Sequence, residues 1–228
     1  MKQTSIAIIC AALLAGCNST PDTSSSQQAA TNSATASAAV TAMAKGDNLI
    51  QDPQLSEFRS NKGKSEVWKK HANKSAGLGD VGSSSVTAFG SEGSARLRFV
   101  SSSDDFSAEP ALSQTIQGLK TNTQYQLSFY YNDKKGLNSP SQSTFGVKNL
   151  NGSVIENLTI TPAMVESLPQ DNAKKGFKKV ALTFNSGANT SVTVYVSMTI
   201  TDKSAIDLSG DIGKQTEVRV DEFSLKEL

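Results

Sequence analysis

The sequence predicts an all-β fold, a jelly-roll β-sandwich of two antiparallel sheets, carried behind a signal peptide and a disordered tether. Three observations predict it. Apolar and polar residues alternate with a period of two in several segments after residue 94, the mark of strands with one buried face. Clusters of Gly, Asn, Asp and Ser separate these segments as turns. Helical periodicity is confined to Pro162 to Leu168.

Taken in order, Met1-Lys2-Gln3 supplies one positive charge and Ile6 to Leu14 a short apolar core. That length suits a secretory signal and is too short for a stop-transfer helix. Residues 18 to 45 are dominated by Ser, Thr and Ala and contain no aromatic residue. Such a composition cannot bury enough surface to offset its ordering entropy, so this stretch is expected to be a tether, with an end-to-end distance of roughly 30 Å. The folded domain is expected over 46 to 228. Its first clear strand is Ala95-Arg96-Leu97-Arg98-Phe99, with both arginines on the outward face. Tyr125 to Tyr131 places Tyr125, Leu127, Phe129 and Tyr131 on one face. Val180 to Phe184 does the same with Val180, Leu182 and Phe184. Ser191 to Met198 points Val192, Val194, Val196 and Met198 inward, and Val218 to Leu225 closes the chain. Asn149-Leu150-Asn151-Gly152 and Asn185-Ser186-Gly187 are the clearest turns.

Composition narrows the function classes. Lys and Arg total 22 against 21 Asp and Glu, a balance that argues against a general nucleic-acid binder. No apolar run reaches the roughly 20 residues of a membrane-spanning helix. The two cysteines, Cys10 and Cys17, precede the domain, and His71 is the only histidine. Together they exclude a disulfide scaffold, a Cys-based zinc site in the domain and any mechanism that needs two histidines.

Leu14-Ala15-Gly16-Cys17 closely resembles the lipobox of bacterial lipoproteins. The resemblance implies cleavage after residue 16, with Cys17 first in the mature chain and acylated on sulfur and nitrogen, palmitate among its chains. Two or more chains anchor stably where one binds only marginally. Asn18 stands where an Asp would resemble an inner-membrane retention signal, so the outer membrane is the implied destination. The leaflet orientation is not readable.

Four segments in order resemble the jelly-roll carbohydrate-binding modules. They are Asn48-Leu49-Ile50-Gln51-Asp52-Pro53-Gln54-Leu55, Gly93-Ser94-Ala95-Arg96-Leu97, Leu112 through Tyr125, and Val218 through Leu225. Together they span nearly all of residues 47 to 228. The resemblance implies the fold more strongly than a function, since this fold hosts many roles and also occurs as a non-binding spacer. It further implies a structural calcium ion near the chain ends, for which Asp47, Ser56, Glu57 and Asp221 are the candidate ligands. Asp221 matches the closing-strand Asp, whereas Ser56 departs from the Glu of the opening motif. Calcium takes six to eight oxygens, several of them from backbone carbonyls. The alternative is that Asp221 and Glu222 end a strand face or pair with Lys.

Glycan recognition needs flat rings with polar tips at a wet surface. Tyr130 and Tyr195 are outward by strand phase, and on one sheet they would form a stacking platform; otherwise each is a surface aromatic, Tyr130 under a loop. Trp68 is the single Trp, either core or binding. Lys134 with Lys135, and Lys178 with Lys179 beside Lys174-Lys175, flank long loops; if these meet, they form a basic rim able to steer a polyanion. Lys69, Lys70, His71 and Lys74 form a further basic group. Arg96 and Arg98 are suited to forking carboxylates. The alternative is an ordinary solubilising surface, with Asp104, Asp105 and Glu109 as neutralising partners.

Catalysis finds little support. There is no Gly-x-Ser-x-Gly elbow, P-loop or His-rich metal motif, and Lys70-His71-Ala72 matches none of the motifs of jelly-roll alginate lyases. The expectation is therefore a non-catalytic, outer-membrane-anchored lipoprotein that binds a polysaccharide, with acidic chains such as alginate or pectate as candidates. The alternatives are a lipoprotein using the jelly roll as a structural or protein-interaction scaffold and, more weakly, a lyase or hydrolase. The individual glycan, the protein partners and the oligomeric state are not encoded in any motif.

Overall fold

The computed structural model describes residues 45–91 and 93–228. The expected signal peptide, Cys17 and the tether up to residue 44 lie outside the described residues. The described residues form ten strands in two five-stranded antiparallel sheets. In chain order the strands are β1 (Lys69–His71), β2 (Asp80–Ser84), β3 (Ser94–Arg98), β4 (Ala111–Gln117), β5 (Gln124–Asp133), β6 (Ser141–Lys148), β7 (Val154–Ile160), β8 (Lys178–Asn185), β9 (Ser191–Ile200) and β10 (Val218–Glu227). Three short helices accompany them: α1 (Ser56–Ser60), α2 (Pro162–Ser167) and α3 (Ile212–Thr216). Sheet A has the order β1-β4-β9-β6-β7 and sheet B the order β2-β3-β10-β5-β8. The fold is the expected all-β jelly-roll sandwich.

Period-two patterning produces the core directly. Leu127, Phe129 and Tyr131 of β5 point inward from sheet B and meet Phe145, Val194, Val196 and Met198 from sheet A, all essentially buried. Phe129 bridges the layers: its ring is 4.8 Å from Phe145 in an edge arrangement and 4.9 Å from Phe223 in a stacked one. Each such pair adds about 0.5–1.5 kcal/mol beyond its burial. The inward positions of β6 also carry Ser141 and Ser143. Both are buried; the Ser141 hydroxyl donates to the Thr216 carbonyl, and that of Ser143 lies beside the Tyr131 hydroxyl. Thr161 caps α2 by accepting from the Met164 N–H, and Pro162 occupies its first turn, a favoured place for proline.

The opening segment is stitched to the closing strand. Leu49 donates to the Leu225 carbonyl. The Asn48 amide donates to the Phe223 carbonyl and accepts from the Leu225 N–H. Between Asp221 and Ser224 the β10 register slips, and Glu222 adopts a left-handed φ of 52°. This bulge turns Phe223 into the core while Asp221 stays on the outer side of sheet B, as bulges commonly re-aim side chains.

Candidate functional site

The outer face of sheet A is open. One register row crosses all five strands, joining Lys69, Ser113, Tyr195, Gly146 and Asn157. A second joins His71, Ala111, Ser197, Thr144 and Thr159, and a third joins Thr115, Thr193 and Lys148. Strand spacing makes a row about 19 Å long, with rows about 7 Å apart.

Tyr195 is the aromatic centre of this face. The Lys148 ammonium sits 4.2 Å from its ring centroid, a cation–π distance. Partial burial pushes the phenol above its usual range; Glu109 adds to the shift and the neighbouring Asn157 side chain opposes it. Gly146 beside it bears no side chain because a Cβ there would collide with the Glu156 carbonyl and approach Asn157 Cβ to 2.8 Å. The surface next to Tyr195 is therefore low. At the β1 edge, His71 Nε2 and Ser113 Oγ are 2.7 Å apart. Among the described residues no carboxylate hydrogen-bonds the His71 ring, so the pair lacks the third member that orients a catalytic histidine.

The outer face of sheet B is roofed. Ala88, Ala173 and Phe177 form a buried apolar cluster outside the main core, with Val86 and Tyr130 packed against it. The Lys174 N–H donates to the Ala88 carbonyl, tying the β2–β3 connection to the segment before β8. Tyr130 lies under this roof. Its hydroxyl donates to Asp171 at 2.6 Å, and its ring meets Phe89 edge-on at 4.8 Å. Burial first, then the Asp171 carboxylate, pushes the Tyr130 phenol well above its usual range. Asp221 is fully buried here. Its two carboxylate oxygens accept from the Ala88 and Glu222 N–H groups, both at 2.8 Å. Burial still dominates and raises its pKa to about 7.

The structure thus separates the residues that the sequence suggested together. Tyr195 is on sheet A and Tyr130 on sheet B, so they form no common platform. Trp68 is a core residue: it is 2% exposed, packs against Phe223 with the rings tilted and 4.7 Å apart, and donates its indole N–H to the Asp52 carbonyl, leaving no face for a sugar. Arg98 pairs with Asp80 and Glu217 at 3.1 and 3.4 Å. Arg96 lies on the same outer face of sheet B, one row along. The basic loops do meet: Lys134, Lys135, Lys175 and Lys178 line a cleft of about 440 Å³ together with Asp133 and Glu166. Lys179 instead stands opposite Tyr130 across β8 and β5.

The calcium candidates do not gather. Among the described residues no three acidic, His or Cys side chains converge as a metal cage. Asp221 is committed to two amides, Asp47 and Glu57 are exposed, and Asp52 accepts from the Glu57 and Phe58 N–H groups. The stitching of first segment to last strand that the structure shows is carried by Asn48.

Sequence reasoning missed Lys148, Asn157, Thr193 and Ser113 as partners of Tyr195. Thr193 was legible as outward by phase. The others were not, because which strands neighbour β9 is a matter of topology.

No family model matches this sequence, and no curated protein matches it. Among solved structures, TmCBM61 in complex with β-1,4-galactotriose superposes with a TM-score of 0.50 at 16% identity, covering 80% of this chain and 100% of that one. The enzymatically active domain of bacteriophage CBA120 tailspike protein 4 gives 0.49 at 11% identity, covering 79% of this chain but 21% of that one. The CBM22-1–CBM22-2 tandem of Paenibacillus barcinonensis Xyn10C gives 0.47 at 16% identity, over 82% of this chain and 48% of that one. This chain therefore spans about a fifth of the tailspike domain and about half of the tandem. At such identities the likeness concerns the fold alone, a jelly-roll β-sandwich.

Proposed function

We propose that this protein is a non-catalytic polysaccharide-binding lipoprotein, anchored to the outer membrane through Cys17, whose glycan site is the open face of sheet A around Tyr195. One observation carries the reading: the row Lys69, Ser113, Tyr195, Gly146 and Asn157, with Lys148 over the ring. A sugar ring offers an apolar C–H face and a rim of hydroxyls. Tyr195 supplies the flat apolar partner, and the more accessible Asn157 and Thr193 supply partners for the hydroxyls. Lys148 and Lys69 place cations where a uronate carries its carboxylate, so the preferred polymers are acidic ones such as alginate or pectate. The fold supports the reading, since TmCBM61 holds β-1,4-galactotriose.

Affinity electrophoresis of the mature chain carrying Cys17→Ser tests this reading. Gels containing alginate or pectate should retard it, salt should weaken the effect, and Tyr195→Ala should remove it. Retardation by neutral glucans alone would keep the site and discard the acidic preference. No retardation by any polymer would move the reading to an interaction scaffold. The anchor is tested separately, by palmitate labelling that Cys17→Ser abolishes and by recovery of the wild type in the outer-membrane fraction.

A further inference from the structure

The outer face of sheet B carries an arrangement that glycan capture on sheet A does not use. Arg96 of β3 and Arg219 of β10 are direct cross-strand partners, a placement in which like charges repel. Arg98 lies one row away on the same face. Two carboxylates serve the three guanidiniums. Asp80 takes Arg98 Nε, and Glu217 takes both Arg98 Nη1 and Arg219 Nη2. Asn132 accepts from Arg219 Nη1 at 2.9 Å. Asp221, further along β10, spends both oxygens on backbone amides. Nothing among the described residues is left for Arg96. The Nε atoms of Arg96 and of Arg219 are both buried and without a hydrogen-bond partner there. An unpaired buried donor on a charged group is costly, and two of them on facing arginines are not a packing accident of one side chain.

Arg96 runs beside Gly82 of β2, the edge strand of sheet B. A Cβ at Gly82 would lie 3.6 Å from Arg96 Nε and 3.9 Å from Nη2, so a larger side chain there would crowd the guanidinium of the half-buried Arg96. On the other side, Asn132 donates to the Lys175 carbonyl and borders the lysine-lined cleft, whose field favours anions. A guanidinium presents its donors as a planar fork suited to two oxygens of one acid group.

We propose that Arg96 and Arg219 form a binding site for a single oxyanion, the carboxylate, sulfate or phosphate group shared by anionic small molecules, independent of the glycan face on sheet A. The bound group completes the ion pairing that Asp80 and Glu217 leave unfinished.

Thermal melting and calorimetric titration of the full mature chain in detergent test it. Sodium sulfate, inorganic phosphate and glucuronate are each compared with sodium chloride at equal ionic strength. At least one should raise Tm saturably, with a midpoint in the millimolar range or below and one anion per chain; which of them does so identifies the acid group. Arg96→Gln should remove the increment. Gly82→Val, which keeps every charge, should weaken the anion at least tenfold by crowding the Arg96 guanidinium, so a folding defect in the arginine variant does not decide the matter. Tyr195→Ala should leave the increment intact, which separates this site from the glycan face. Three results overturn the proposal: equal melting in all salts at matched ionic strength, an increment that survives Arg96→Gln, or an increment that emerges only in Glu92→Gln, where the carboxylate of the β2–β3 connection had held the place.

Discussion

The two outer faces of this sandwich have the same architecture and opposite treatments. On sheet A, Tyr195 faces solvent with a lysine over its ring and small residues around it. On sheet B, Tyr130 is covered by Phe89 and tied down by Asp171, and Phe177 and Ala88 build a second small core beneath the roof. Identical residue types at equivalent strand phases therefore end in different roles. Phase decides only which side of a sheet a side chain takes. Whether that side stays open depends on the connections that cross it, here the β2–β3 connection and the segment between α2 and β8. The glycan capture proposed for this protein needs the open face. The roofed face stores buried polar and charged groups instead.

The largest effect that would sharpen this contrast is loss of the roof. Phe177→Ala empties a fully buried position and should lower stability by about 3–5 kcal/mol, read from urea unfolding, while glycan retention by the folded variant is unchanged. Retention lost in parallel with folded signal would break the separation of the faces. Next comes Asp221. Its folded-state pKa of about 7 lies above the ordinary carboxylate value near 4, so the native state holds the proton more tightly than the unfolded chain. Stability should therefore fall as pH rises from about 4 to about 7 and level off above that. Burial of Asp133 raises its carboxyl too, so the wild-type slope has more than one source. Asp221→Asn isolates its share, which should be of order 2–3 kcal/mol between pH 4.5 and 8; identical slopes for the two proteins would show that Asp221 is not the titrating group.

On sheet A the effects are smaller in stability and larger in binding. Tyr195→Ala should cost about tenfold or more in affinity for the retained polymer, of order 1.5 kcal/mol, with Tm almost unchanged; Tyr130→Ala should show the reverse. Lys148→Met should give the smallest change. Losing one half-exposed cation at a screened surface costs roughly 0.5–1 kcal/mol, so affinity for an acidic polymer should fall a few-fold and its salt dependence should flatten. An unchanged salt dependence would remove Lys148 from the site.

Much of the fold was legible. The strands with Val, Leu or aromatic residues at every second position, β5, β8, β9 and β10, follow from alternation, and α2 follows from its periodicity with Pro162 at its start. β6 and β7 were less so, because Ser141 and Ser143 take inward positions and the exposed edge strand β7 has a weak pattern. The outward phase of Tyr130, Tyr195, Arg96 and Arg98 was also legible. That Trp68 is core was one of two readings, and the indole bond to the Asp52 carbonyl decides it.

By itself, then, the sequence determined the class of fold, the inward residues of the main strands and the outward phase of the tyrosines and arginines, because period-two patterning is a local property of the chain. The tertiary structure decided which strands are neighbours, and so that Tyr195 meets Lys148 and Asn157 while Arg96 meets Arg219. It also decided that one face is roofed and the other open, and that Asn48 fastens the first segment to the last strand. Those outcomes rest on contacts between residues far apart in the chain, such as Asn48 with Leu225 and Ala88 with Asp221, for which no local pattern carries a signal.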